Sequence, residues 1–95
     1  MSFKIKTIPR FEKELKRLAK KYPSLKTEYI ALVKSLTENP EQGTSIGNNC
    51  FKIRISNSSK GKGKSGGAMV ITYIQIADSE VYMLSIYDKS EQDNI

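Results

Sequence analysis

The sequence predicts an α+β domain: a small, mostly antiparallel, twisted sheet packed against an N-terminal helical hairpin, in the order β-α-α-β-β-β. Three observations predict it. Between residues 9 and 38 the apolar residues recur at helical spacing in two separate stripes. After residue 50 they recur at period two or in β-branched runs instead. Prolines and glycines fall between these segments rather than inside them.

The elements follow in order. Ser2 to Thr7 alternates Phe3 and Ile5 with Lys4 and Lys6, which predicts a short first strand with a basic outer face. Pro9 marks a helix start, because proline is tolerated in the first turn. Phe11, Leu15, Leu18 and Ala19 then form one stripe, with Lys13, Lys16, Arg17, Lys20 and Lys21 opposite it. Tyr22-Pro23 closes this helix, and Ser24 is a suitable N-cap for the next. The second stripe is Leu25, Tyr29, Leu32, Val33 and Leu36, stopped by Asn39-Pro40. Gly43 and Gly47 indicate a loop. Strands are predicted at Cys50 to Ser56, Ala68 to Ile76 and Val81 to Tyr87, with a turn at Asp78-Ser79-Glu80 and a polar, acidic tail from Asp88.

The 95 residues fit a single domain, 1–95, with one modest core. The formal net charge is +6, and it is unevenly spread: +6 over residues 1–40, +4 over 41–77 and −4 over 78–95. Such asymmetry favours a face for a polyanion over uniform solubilising charge. The hairpin from Cys50 to Ile74 concentrates it. Phe51, Ile53 and Ile55 share one face, Lys52 and Arg54 the other, and Lys60, Lys62 and Lys64 alternate with glycines at the tip. An apolar back, a cationic front and a cationic tip suit a phosphate backbone. The tip resembles a phosphate-binding loop only superficially, since a strand rather than a helix follows it.

The chain has no histidine and one cysteine, Cys50. This excludes an internal disulfide and a histidine acid–base pair, and argues against a zinc site. Cys50 reads as a small buried hydrophobe and Tyr73 as packing. The N-terminus shows no apolar signal region and no run approaches membrane-spanning length, so a cytoplasmic location is expected.

These residues resemble a family. Four stretches carry the likeness to the RelE/ParE superfamily of toxins from type II toxin–antitoxin modules: FEKELKRL at 11–18, CFKIRI at 50–55, GKSGGAMVI at 63–71 and LSIYDKSE at 84–91. The long Lys/Gly tip is closer to the HigB-like branch than to RelE itself. The resemblance implies a ribosome-dependent messenger-RNA endonuclease that needs no metal or other cofactor. It implies a cognate antitoxin as protein partner, with the ribosome and mRNA as targets and DNA met only through the antitoxin. In that chemistry the ribose 2′-OH attacks the adjacent phosphate, which calls for a base, cations and an acid.

On this resemblance Lys52 and Arg54 occupy the two basic positions of the second predicted strand. Lys52 is a candidate base, activated if neighbouring cations crowd it, and Arg54 a phosphate fork. Without the tip beside them, both would read as solvated strand residues. Lys60, Lys62 and Lys64 are the expected RNA hold. Tyr87 and Lys89 close the set, Tyr87 equally readable as an aromatic at the core's edge. Met69 departs from the pattern, because the family commonly has arginine there, and the departure implies weakened activity. Two other classes stay open: a ParE-like inhibitor of a topoisomerase without nuclease activity, and an inactive ribosome- or RNA-binding remnant.

Overall fold

In the computed structural model of the chain, residues 2–55 and 67–88 are described. Their order is β1 (Lys4–Thr7), α1 (Pro9–Lys21), α2 (Ser24–Glu38), β2 (Thr44–Gly47), β3 (Cys50–Ile55), β4 (Ala68–Gln75) and β5 (Glu80–Asp88). This is the expected order with one strand added, β2, in the segment that the glycines had marked as loop. The five strands form one sheet in the order β1-β5-β4-β3-β2, with β1 parallel to β5 and the other pairs antiparallel.

Local chemistry explains the helix ends. Pro9 occupies the first turn of α1, and the Thr7 hydroxyl donates to the Glu12 carboxylate in that turn. Lys20 and Lys21 sit in the last turn, where cations oppose the helix dipole. The Tyr22 N–H bonds back to the Leu18 carbonyl at 2.8 Å. Ser24 does not cap α2, contrary to expectation. It is the first helical residue, and Pro23 holds the cap position at φ −56° and ψ −32°, already in helical geometry. Proline has no N–H to leave unsatisfied there, so the turn enters the helix without a side-chain cap. At the far end Asn39 N–H bonds to the Ser35 carbonyl at 2.9 Å and Pro40 bars continuation.

Both helices spend their apolar stripes on one face of the sheet. α1 lies against β5, and α2 against β1 and β3. Phe11, Leu18, Leu25, Leu32 and Leu36 meet Ile53, Ile55, Val70, Ile74, Val81, Met83 and Ile86 in a single core. Phe51 packs against it half-buried. The prediction that Phe51, Ile53 and Ile55 face inward therefore matches the structure.

The added strand is built by its turn. Asn48 and Asn49 have φ of 53° and 62°, the two left-handed residues that a tight two-residue hairpin requires. Ile46 is the extra residue of an irregularity between Ser45 and Gly47, and it is half exposed. At the other edge, Phe3 N–H bonds to the Thr37 carbonyl and Lys4 N–H to the Ser79 carbonyl, tying β1 to α2 and to the turn before β5.

Candidate nucleic-acid interface

The face of the sheet turned away from the helices is built by register. Opposed residues in paired strands share a face, with side chains about 5 Å apart. Arg54 opposes Met69, and Met69 opposes Tyr87. These three form one row across β3, β4 and β5. Lys52 stands two residues from Arg54 on the same strand and face, opposite Ile71. Four of the five proposed site positions that are not in the tip thus lie on one surface.

Tyr87 belongs to this row because of a bulge. Val81 and Met83 face the core, so strict alternation would send Ser85 and Tyr87 inward too. The ladder between β4 and β5 slips between Ile71 and Thr72, where Ser85 and Met83 are their partners and Leu84 is the extra residue. The slip reverses the phase of β5: Ile86 enters the core and Tyr87 turns outward beside Met69. Sequence reasoning missed this device. The unequal spacing of apolar residues at 81, 83, 84 and 86 was the available signal.

The bulged half of β5 is held from its open side. β1 pairs only with Glu80 to Met83, which leaves the following residues without a neighbouring strand there. Glu14 of α1 fills that place. Its carboxylate accepts from Ser85 Oγ at 3.0 Å and from the Ile86 N–H at 3.3 Å, and Arg10 Nε lies 3.5 Å from its other oxygen.

Charge and packing divide the face. Arg54 is exposed and Lys52 half-buried, and neither has an ion-pair partner among the described residues. Met69 is 7% exposed and Tyr87 3%, joined by Ile71 and Leu84 in a second, smaller apolar cluster separate from the main core. Tyr87 is therefore both the aromatic in the row and a packed residue. Arg54 also borders a shallow hollow of about 220 Å³ that Glu28, Leu32, Ser35 and Gln42 line from the α2 side. The row is thus open to solvent at its Arg54 and Lys52 end and buried at Met69, Ile71 and Tyr87. No group of three His, Cys, Asp or Glu among the described residues is placed to hold a metal ion.

Lys60, Lys62, Lys64 and Lys89 lie outside the described residues. Two expectations are corrected. Cys50 is half-buried rather than buried, because it opposes Tyr73 on this outer face, with Sγ 3.7 Å from the Asn48 carbonyl oxygen. Tyr73 does not pack in either apolar cluster. It lies half-buried beside Tyr82, ring centroids 6.3 Å apart.

The far end of the face carries a polar triad. Tyr82 donates its hydroxyl to Glu80 at 2.9 Å, and Lys6 Nζ lies 3.2 Å from the other Glu80 oxygen. The Tyr82 hydrogen bond and then Lys6 hold the Glu80 carboxyl below the usual carboxylate range, and the same bond raises the Tyr82 hydroxyl. A carboxyl depressed in the folded state stabilises it above the unfolded pKa, and that contribution disappears as pH falls through the folded value. The stability gap between the native chain and Glu80→Gln is therefore expected to shrink below about pH 4, where unfolded glutamate takes up its proton. Urea midpoints at neutral and acid pH measure it. A gap of constant size would show that the triad does not govern the acid limb.

No protein-family model matches the chain. Solved structures match its fold, among them three of E. coli proteins. E. coli toxin RelE, as a double arginine-to-alanine mutant in the free state, superposes with a TM-score of 0.72 at 17% identity, covering 98% of this chain and 90% of that one. The toxin–antitoxin complex RelBE of E. coli gives a TM-score of 0.59 at 16% identity, covering 92% and 96%. The RelE mutant bound to an antitoxin RelBc peptide gives 0.59 at 18%, covering 96% and 90%. One strand, two helices and four further strands in a single sheet, matched over nearly the whole length of both chains, give this protein a RelE-like fold.

Proposed function

We propose that this chain is the toxin of a type II toxin–antitoxin module and cuts messenger RNA on the ribosome, with a rate lowered by Met69. The observation that carries the reading is the row Arg54–Met69–Tyr87 with Lys52 beside it, on the face of a RelE-like fold turned away from the helices. The reaction needs no group beyond protein and substrate. Lys52 takes the proton of a ribose 2′-OH. The 2′ oxygen attacks the adjacent phosphorus, the bond to the 5′ oxygen breaks, and the products are a 2′,3′-cyclic phosphate and a 5′-OH end. Arg54 offsets the charge that builds on the phosphate oxygens. Tyr87, or Lys89 two residues further along the chain, supplies the proton to the leaving oxygen. Lys60, Lys62 and Lys64 hold the flanking phosphates, so binding weakens as salt rises.

RelE is known in complex with the antitoxin RelB and with a RelBc peptide. By extension, the partner of this chain is an antitoxin whose acidic segment covers the basic face. A cytoplasmic location follows from a ribosomal target.

Primer extension on translated message tests the proposal. Cleavage inside codons at the ribosomal A site, lost on Lys52→Ala together with Arg54→Ala, is the expected result. Inhibition of DNA supercoiling without cleavage would replace it with the ParE-like reading. Ribosome binding with neither activity would leave an inert remnant.

A further inference from the structure

The pairing of β4 with β5 sets two tyrosines side by side where the proposed reaction has no use for them. Tyr73 opposes Tyr82, and their tilted rings lie 6.3 Å apart on the outer face. Cys50 completes their row on one side and Lys6 on the other. Both rings are half-buried, and neither belongs to an apolar cluster. Each hydroxyl is tied to a neighbour two residues along its own strand, Tyr73 to Gln75 at 3.4 Å and Tyr82 to Glu80 at 2.9 Å. Those bonds fix the outer end of each ring without covering its faces.

We propose that Tyr73 and Tyr82 form a stacking platform for a base of single-stranded RNA, part of the same track as the row at Arg54, Met69 and Tyr87. The inference rests on the RNA-cleaving reading above. Three features support it. Aromatic faces on a β-sheet flanked by cations bind single strands with little sequence preference. Lys52 on β3 and Lys4 on β1 flank the pair, while Glu80 answers the charge of Lys6. Met69 and Tyr73 are four residues apart on β4, about 13 Å, which a few nucleotides of an extended strand span. The platform therefore lies on the same surface, and within reach of the same molecule. It would hold the message in line at a point away from the cleaved bond and make the site tolerant of base identity there.

The test uses the full chain and a short single-stranded RNA carrying 2′-O-methyl groups, which block attack and leave only binding. Anisotropy gives the affinity. Tyr73→Leu with Tyr82→Leu is expected to weaken binding at least about fivefold, and Tyr73→Phe with Tyr82→Phe to leave it unchanged, since stacking needs the ring and not the hydroxyl. Independently of any variant, an RNA carrying 5-iodouridine should photocrosslink to Tyr73 or Tyr82 of the native chain. If the leucine pair binds like the native chain while Lys52→Ala with Arg54→Ala loses binding, the platform is wrong and the RNA face stands. If the native chain binds no RNA, both fail. Should the leucine pair not fold, absence of a crosslink at both tyrosines overturns the platform.

Discussion

Met69→Arg is expected to raise the rate of message cleavage by on the order of a hundredfold, the usual worth of one well-placed group opposing transition-state charge. The position opposes Arg54 on one side and Tyr87 on the other, so a guanidinium there would join the row at its centre. Met69 is 7% exposed, and an arginine stem can occupy its place while the charged head reaches the surface. The swap should cost about 1–3 kcal/mol of stability from crowding in the small apolar cluster. Met69→Leu is the control, because it keeps the packing and adds no charge. Primer extension and growth arrest on expression both read the result. Equal cleavage by the native, leucine and arginine forms would remove position 69 from the chemistry.

A second large effect is expected at Gly43, where the backbone of the loop before β2 touches β3. Gly43 has φ +85°, and a Cβ there would lie 2.3 Å from the Lys52 carbonyl oxygen and 2.9 Å from Ile53 Cγ1. The nearest neighbour is backbone in a paired strand and cannot step aside cheaply. Gly43→Ala should therefore cost about 2–4 kcal/mol, the sum of left-handed strain and a steric clash. For a chain of this size that lowers the melting temperature by roughly 10 °C or more. Gly47 separates the two causes. It has φ +93° but nothing within 4 Å of its would-be Cβ, so Gly47→Ala should cost only about 1–2 kcal/mol. Similar melting temperatures for the two variants would show that the contact with Lys52 does not matter. If the clash is real, Gly43→Ala also displaces Lys52, and RNA binding should fall with stability.

The elements that bury a stripe were legible from the sequence. The two helices and β3 each follow one period, and β4 and β5 show as β-branched or aromatic runs bounded by turn residues. β2 was not legible, because it is only four residues long, Thr44 to Gly47, and all four are exposed. Its signal was the turn Gly47-Asn48-Asn49 rather than any alternation. Lys52 and Arg54 were readable as neighbours on one face, since alternation along a single strand decides that. Their alignment with Tyr87 was not, because it depends on pairing across strands and on a bulge at Leu84. The Tyr73–Tyr82 pair was hidden for the same reason. Local pattern gives each strand its two sides, and only the register says which residues of different strands meet.

The place of β5 in the sheet has a consequence for synthesis. It is the last of the described strands to leave the ribosome, yet it lies inside the sheet, between the first strand and β4. A nascent chain that stops before residue 80 leaves β1 without a partner and α1 without the surface it packs on. Assembly must wait for that final piece, because the contacts that close the domain join residues far apart in the chain. A chain built this way gains its closed sheet, and any activity that depends on it, only once β5 has emerged.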